Sequence, residues 1–340
     1  MKIGITGGNG FIGTHVQNEI RRQGHTPFVL DHKTGGDLLG DVRDKTIVSE
    51  FAAHVDAIIH LAAVLGTSET IDQPWPAAET NILGTLNVFD AASAYNLPTV
   101  FAAVGNSAIG RGTYCITKTT GEEFVKMYRE DRGLPIIAVR PMNAYGPGQS
   151  APSPFGASKV RKIVPTLTCN ALSGHPMPLY GGGRQISDAV YVEDVAHVFV
   201  EAALMAHDGI IPEHPIDVGG LQPLTVKQIA EEIIVNVPGA HISDIPMRKG
   251  EPEGGPLAHP DALDRIVRAI LNTEPALNPI HVRRTVKQLG TAVYADTETL
   301  HAIGVDAATF TPIDKGIRQT VDWFRQVEGK TWNRSSNPNS

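Results

Sequence analysis

One stretch at the amino end narrows the folds open to this chain more than any other: Ile3-Gly4-Ile5-Thr6-Gly7-Gly8-Asn9-Gly10-Phe11-Ile12-Gly13. A short β-branched run stops at glycines, and apolar residues at helical spacing (Phe11, Ile12, Val16, Ile20) begin at once. The pattern reads as strand, tight turn and helix. In Gly7-x-x-Gly10-x-x-Gly13, Gly7 allows the sharp turn and Gly10 leaves the backbone open to a pyrophosphate. Gly13 lets the helix lie close on the strand. The free N–H groups of the first helical turn, at Phe11, Ile12 and Gly13, then face the phosphates with the positive end of the helix dipole. A second run, Phe28-Val29-Leu30, closes on Asp31, whose carboxylate is placed to accept from the adenosine ribose hydroxyls and to repel a 2′-phosphate. A dinucleotide site follows, with NAD preferred over NADP; the neighbouring Lys33 is a mild counter-signal.

The rest of the first half repeats the alternation. Segment 38–44 reads as a short strand closing on an acid, and 57–63 as a strand buried on both faces. Segments 81–95 and 114–129 carry helical spacing, and 100–104 and 136–139 are further buried strands. Strand and helix in turn predict an α/β fold with a doubly wound parallel sheet. After Arg140 the texture changes to Pro, Gly, Asn and Ser over 141–154, a loop at the carboxyl ends of the strands, where ligands sit in such sheets. Helices are expected at 160–172, from Glu193, at 226–235 behind Thr225 as N-cap, at 261–271 and at 314–327. Short strands are expected at 178–180 and 189–192, and a polar, disordered tail from Gly329.

Bulk properties bound the partners. The chain has 340 residues, 41% of them hydrophobic, enough for one large α/β unit with a smaller lobe. A net charge of −7 without a basic stripe argues against nucleic acid and against an anionic membrane. The opening Met1-Lys2 runs straight into a strand, unlike a signal peptide, and no apolar segment has membrane-spanning length. Two cysteines, Cys115 and Cys169, make no disulfide framework and suit a reducing cytoplasm. The 13 histidines show no ligand spacing with an acid, so no metal site is expected, and His60 reads as a core residue at a strand end.

Tyr114-Cys115-Ile116-Thr117-Lys118 sets a phenol and an ammonium four residues apart, on one helix face. A phenol titrates near 10, and a close ammonium together with a bound nicotinamide cation favours the phenolate that a base requires. With these residues in view, the chain resembles the extended short-chain dehydrogenase/reductase family, in its branch of NAD-dependent nucleotide-sugar epimerases and dehydratases. The likeness rests on Gly7-x-x-Gly10-x-x-Gly13, Asp31, Asp41-Val42, His60-Leu61-Ala62-Ala63, Asn81-x-x-Gly84-Thr85, Tyr114-x-x-x-Lys118 and Arg140-Pro141-x-Asn143-x-Tyr145-Gly146-Pro147-Gly148. Later segments fit as well: Leu179-Tyr180-Gly181-Gly182-Gly183, Val192-Glu193-Asp194, Pro246-Met247-Arg248-Lys249-Gly250-Glu251 and Tyr294-Ala295-Asp296. Only 254–289 looks inserted.

The resemblance implies a Rossmann domain over 1–160, with a return segment near 184–206. A smaller C-terminal α/β substrate-binding lobe would lie mainly in 161–328, ahead of a tail at 329–340. It implies that Asp41 and Val42 flank the adenine, that Leu61, Ala62, Ala63 and Pro141 line the cofactor, and that Asn81 lies beside the site. Tyr114 would be the base, and Lys118 would hold the ribose and acidify the phenol. Asn143 and Arg248 would grip a nucleotide-diphosphate sugar. A homodimer is implied through helices 81–95 and 114–129. The chain departs from its relatives in three places. The usual hydroxyl at the end of the fifth strand is missing, and either Ser107 or Asn106 takes its place. No carboxylate lies between Val104 and Arg111, where a 4,6-dehydratase keeps the group that takes the C5 proton; Cys115 is a conceivable surrogate, though a small core residue fits it better. Ser187-Asp188 stands where Arg-Asp is usual, with Arg184 as a candidate replacement. The reading that results is an NAD-dependent epimerase acting by transient oxidation at C4. The alternatives are a dehydratase (a lyase rather than an isomerase) and a non-catalytic NAD-binding regulator.

Overall fold

The computed structural model describes residues 1–66, 69–105, 112–221, 224–247 and 297–331, with isolated positions between 271 and 295. Its centre is a parallel sheet of seven strands. In chain order these are β1 (Lys2–Thr6), β2 (Thr26–Asp31), β3 (Leu38–Leu39), β4 (Ala57–His60), β5 (Thr99–Ala102), β6 (Ile136–Pro141) and a later strand, Ile216–Val218. In space they run Ile216–Val218, β6, β5, β4, β1, β2, β3. Every pairing in this sheet is parallel, and the registers set Thr6 beside Leu30 on one side and beside His60 on the other, with Phe101 next to His60. The carboxyl ends of four neighbouring strands therefore finish level. The order reverses at β1, and in open α/β sheets the ligand crevice lies outside the carboxyl ends at such a reversal.

Helices cover both faces. α1 (Phe11–Arg22) lies on one of them, where Val16 and Ile20 meet Ile3, Ile5 and the buried stripe Val195, Val198 and Phe199 of a long helix, Val192–His207. The other face carries α2 (Lys45–Ala52), α4 (Thr85–Tyr95) and α5 (Thr113–Arg132), whose Val48, Phe51, Val88, Phe89, Val125 and Tyr128 enclose Ile58 and Phe101. Between β4 and α4 the chain makes α3 (Pro74–Ala78) and then a π-helical turn, Glu79–Gly84. The segment expected to be one helix over 81–95 is therefore a longer helical run with a wide turn at Asn81.

Two further corrections apply here. The expected strand over 38–44 pairs only at Leu38–Leu39, and Asp44 instead caps α2, accepting from the N–H groups of Thr46 (2.8 Å) and Ile47 (3.4 Å). A carboxylate before a helix satisfies donors that would otherwise be orphaned, and that local gain outweighs extension of a two-residue edge strand. The last helix runs Ile313–Thr331, so the backbone is still helical at Gly329, where a disordered tail was expected.

The remaining elements form a second layered unit. β7 (Asn143–Tyr145) pairs with β10 (Ala189–Tyr191), β8 (Met177–Tyr180) with Ile242–Ile245, and β9 (Ile186–Ser187) with Leu224–Thr225. α6 (Ile163–Leu172), Val226–Asn236 and the last helix close over them, with Leu167, Ile229, Ile233, Ile317 and Val321 in one apolar core. Thr225 does cap its helix, in a reciprocal box with Gln228. The expected helix over 261–271 and most of 254–289 lie outside the described residues.

Candidate active site

Elements that need unusual backbone build the amino-end crevice. Gly7 sits at φ +72°, and a Cβ there would come within 2.8 Å of the backbone of Ala62. At Gly13 a Cβ would lie 2.5 Å from the carbonyl oxygens of Gly7 and Gly8, so the close helix-to-turn approach read from the sequence is present. The N-cap of α1 is Gly10, with no capping side chain and no acid in the first turn. Its first N–H groups are left without a side-chain cap at the positive end of the helix, which is the chemistry a diphosphate requires. Asp31 ends β2 in the same crevice, buried, with one oxygen 2.9 Å from the Asn9 N–H and the other 2.9 Å from that of Lys33. Asn9 also donates through Nδ2 to the carbonyls of Lys33 (3.2 Å) and Thr34 (3.3 Å), tying the glycine turn to the loop after β2. Asp41 pairs with Arg43 at 2.8 Å, and that guanidinium holds its carboxyl below the ordinary range. Val42 is buried, with its carbonyl accepting from Asn87 and its side chain filling the space over Gly84.

Next to the turn runs the segment 61–64. The N–H of Leu61 donates to the Thr6 carbonyl (3.1 Å) and that of Ala62 to Thr6 Oγ1 (3.3 Å). At the far end Asn81, fully buried, accepts from the N–H of Val64 (2.8 Å) and donates to its carbonyl (3.0 Å). The second Asn81 donor goes to Thr117 Oγ1 at 3.0 Å, and Thr117 donates to the Tyr114 carbonyl at 2.9 Å. Both protons of the Asn81 amide are used, so this residue braces the loop against α5. The wide π turn places it there, a feature that recurs at functional sites.

Tyr114 stands in the first turn of α5, half-buried, with its N–H on Thr70 Oγ1 (3.2 Å). Lys118 follows one turn on, 2% exposed, its ammonium 4.3 Å from the centroid of the Phe101 ring and in no ion pair with a described residue. Burial brings the Lys118 ammonium down to about 7. Burial, and then the neighbouring Cys115, push the Tyr114 phenol above its ordinary value. Lys118 is not among the groups that shift the phenol in this arrangement. Cys115 is buried and its thiol is raised by burial, as a small core residue would be.

The other expected residues belong to later segments of the chain. Pro141 ends β6, above Arg140, which is held by Glu122 and by Asp217 (3.5 Å). Asn143 is exposed, with its N–H on the Asp188 carbonyl (3.2 Å), and Arg184 is exposed beyond the turn Gly181–Gly183. Asp188 is buried, accepts from the N–H groups of Gly220 (2.7 Å) and Ala295 (2.8 Å), and is pushed up to about 6 by burial. Ser107, Asn106 and Arg248 lie outside the described residues. Thr6 and Thr117 were given no role in the sequence, since lone threonines in apolar segments carry no distinguishing pattern, and Thr85 entered only as the end of the motif Asn81-x-x-Gly84-Thr85. Among the described residues, no group of His, Cys, Asp and Glu could hold a metal ion, and no helix is long and apolar enough to cross a membrane.

Comparison with known proteins identifies the family. The NAD dependent epimerase/dehydratase family matches residues 3–219. A UDP-N-acetyl-α-D-glucosaminuronate decarboxylase of Bacillus cytotoxicus is 26% identical, over 95% of this chain and 98% of its own. A putative UDP-glucose 4-epimerase of Methanocaldococcus jannaschii is 27% identical, over 59% of this chain and 72% of its own. Among solved structures, the UDP-glucose 4-epimerase of Thermus thermophilus in complex with NAD superposes with a TM-score of 0.72 at 24% identity, over 96% of this chain and 99% of that one. That last likeness is one of fold.

Proposed function

The chain belongs to the NAD-dependent epimerase/dehydratase family, and from that premise we propose that it epimerises a nucleotide-diphosphate sugar through transient oxidation at C4. The observation that carries this reading is the placement of Tyr114 and Lys118 on α5, braced through Asn81 to the loop that lies on Gly7. The amino-end crevice fits a dinucleotide: the turn has no room for a Cβ, the N–H groups of α1 are uncapped, and Asp31 stands at the ribose position. Gly7, Gly10, Gly13, Asp31 and the segment 61–64 would hold it. NAD supplies, when bound, the acceptor and later the donor of a hydride.

The protein's own part is proton transfer, orientation and exclusion of water. Tyr114 takes the proton of the C4 hydroxyl and gives it back on return. Its buried phenol needs a cation alongside to ionise near neutrality, and Lys118 is the ammonium one turn away, with no carboxylate of the described residues paired to it. Asn143, Arg184 and Arg248 would receive the sugar and diphosphate, as the family resemblance implies.

A second reading is favoured by one observation, the end-to-end match to a sugar-nucleotide uronate decarboxylase. Decarboxylation shares the oxidation at C4 and needs no further base once the carboxylate leaves. A dehydratase has less support, since Gly105-Asn106-Ser107-Ala108-Ile109-Gly110 offers no acid for the C5 proton. A mass screen over UDP- and dTDP-sugars and their uronates tests all three. Epimerisation leaves the mass unchanged, dehydration removes water, and decarboxylation removes carbon dioxide. No turnover with any of them would overturn the proposal. Trp75, Leu83, Tyr95 and Ile116 are exposed on or beside α3 to α5, which supports a homodimer through these helices; monodisperse monomer in light scattering would contradict it. The two free, buried cysteines support a cytoplasmic setting.

A further inference from the structure

A buried polar chain links the strand carrying Gly7 to the helix carrying Tyr114, and His60 stands in the middle of it. Thr6 Oγ1 lies 2.6 Å from His60 Nδ1 and accepts from the Ala62 N–H. On the other side of the ring, His60 Nε2 lies 3.0 Å from Thr85 Oγ1, whose own proton goes to the Asn81 carbonyl at 2.8 Å. A hydroxyl has one proton to give, and that of Thr85 is spent. His60 Nε2 is therefore the donor, and Nδ1 accepts from Thr6. The ring is fully buried, flanked by Phe89 and Phe101 at centroid distances of 6.3 and 5.9 Å, with the Lys118 ammonium on Phe101. Burial, and then the charge of Lys118, bring its pKa down to about 3, so it stays neutral.

Both ends of this chain touch functional backbone. Thr6 holds Leu61 and Ala62, and Ala62 is the residue against which Gly7 turns. Thr85 holds the Asn81 carbonyl, while the Asn81 side chain holds Val64 and, through Thr117, the turn of Tyr114. We propose that His60, as a neutral Nε2–H tautomer, is a positioning residue that fixes the loop 61–64 and the Asn81 turn relative to Tyr114. An apolar side chain would fill the space but leave the hydroxyls of Thr6 and Thr85 to find other partners, freeing the loop from the turn. The inference rests on the reading of Tyr114 as the proton-transfer residue.

The test uses the intact protein. With ¹⁵N-labelled histidine, one ring should keep an Nε2–H, Nδ1-acceptor signature unchanged across the neutral pH range, and that signal should vanish in His60→Gln. His60→Phe keeps the ring volume without either bond. It should lower kcat on the order of tenfold to a hundredfold, the cost of a misplacement of about an ångström, with the sugar-nucleotide KM unchanged. It should also weaken dinucleotide binding, read by titration calorimetry. His60→Gln, with an amide donor and acceptor, should recover most of both. Should His60→Phe not fold, Thr85→Val, which removes the acceptor of the Nε2–H, is read in the same way. A purely structural role would lower the melting temperature of these variants but leave kcat per folded enzyme and dinucleotide affinity at wild-type values, which would overturn the proposal. So would a His60 ring that titrates in the neutral range or carries its proton on Nδ1. Tyr114→Phe run in parallel separates the two claims. If it is inactive while His60→Phe matches wild type, only this inference fails; if Tyr114→Phe turns over normally, the functional reading fails and this inference with it.

Discussion

The two sides of Tyr114 are built differently. Inward, towards the glycine turn, Asn81, Thr117, Thr85, His60 and Thr6 are buried and joined by hydrogen bonds of 2.6 to 3.0 Å. In the smaller unit, the expected sugar side, Asn143 and Arg184 are exposed and make no side-chain hydrogen bond or ion pair with described residues. A dinucleotide shared by a whole family can be met by a rigid, saturated framework, in which one lost bond strands its partner. A sugar that distinguishes one enzyme from the next is better met by open side chains at loops and strand ends. The inner side should therefore control rate, and the outer side selectivity.

The largest effect that could break this contrast is at Tyr114. Tyr114→Phe should reduce kcat about a thousandfold, within the usual range for a lost acid–base group, while the melting temperature holds, because the phenol oxygen makes no hydrogen bond with a described residue. Lys118→Met should lower kcat about a hundredfold and, unlike an ordinary core change, should not destabilise the protein near neutral pH. The sign follows from the depressed ammonium. The unfolded chain keeps this proton to about 10.5, whereas the folded protein releases it near 7. Lys118 thus weighs against folding below about pH 7, and its penalty is relieved as pH rises from there towards 10.5. Melting curves should rise with pH across that window in wild type and flatten in Lys118→Met.

A smaller, sharper comparison sets two asparagines side by side. Asn81→Ala should lower kcat several-fold with little change in the sugar-nucleotide KM, whereas Asn143→Ala should raise KM about tenfold, the worth of one lost hydrogen bond to substrate, and leave kcat near wild type. Steady-state kinetics on both variants decides the point, and interchanged effects would refute the division. The smallest effect belongs to a site remote from the chemistry. Asp44→Ala should cost about 1 kcal/mol of stability through its lost N-cap, seen in denaturant melts, with unchanged kinetics.

Much of the inner side was legible because it depends on local grammar. A glycine turn between a β-branched run and a helical stripe specifies its own conformation, and the buried strands Ala57–His60 and Ile136–Pro141 announce themselves by their apolar runs at 57–59 and 136–139. The pair Tyr114 and Lys118 was visible for the same reason, being four residues apart on one helix. What remained hidden depends on distant partners. Ile216–Val218 is a strand because β6 lies beside it, and three residues carry no period of their own. The π turn at Asn81 has no spacing signature, and α2 was masked by reading Asp44 as a strand end rather than a cap. His60 looked like a core residue, which it is. Its two hydroxyl partners lie 54 and 25 residues away, and nothing in the string brings them together.

The central claim is that Tyr114 governs an oxidation at C4 carried out on bound NAD, and rapid mixing of NAD-loaded enzyme with its sugar nucleotide tests it most directly. Near-ultraviolet absorbance of the reduced cofactor should rise within a single turnover and decay as the product forms, and in Tyr114→Phe the rise should be slowed about a thousandfold. Turnover of the sugar with no reduced cofactor at any time, or an equally fast rise in Tyr114→Phe, would contradict it.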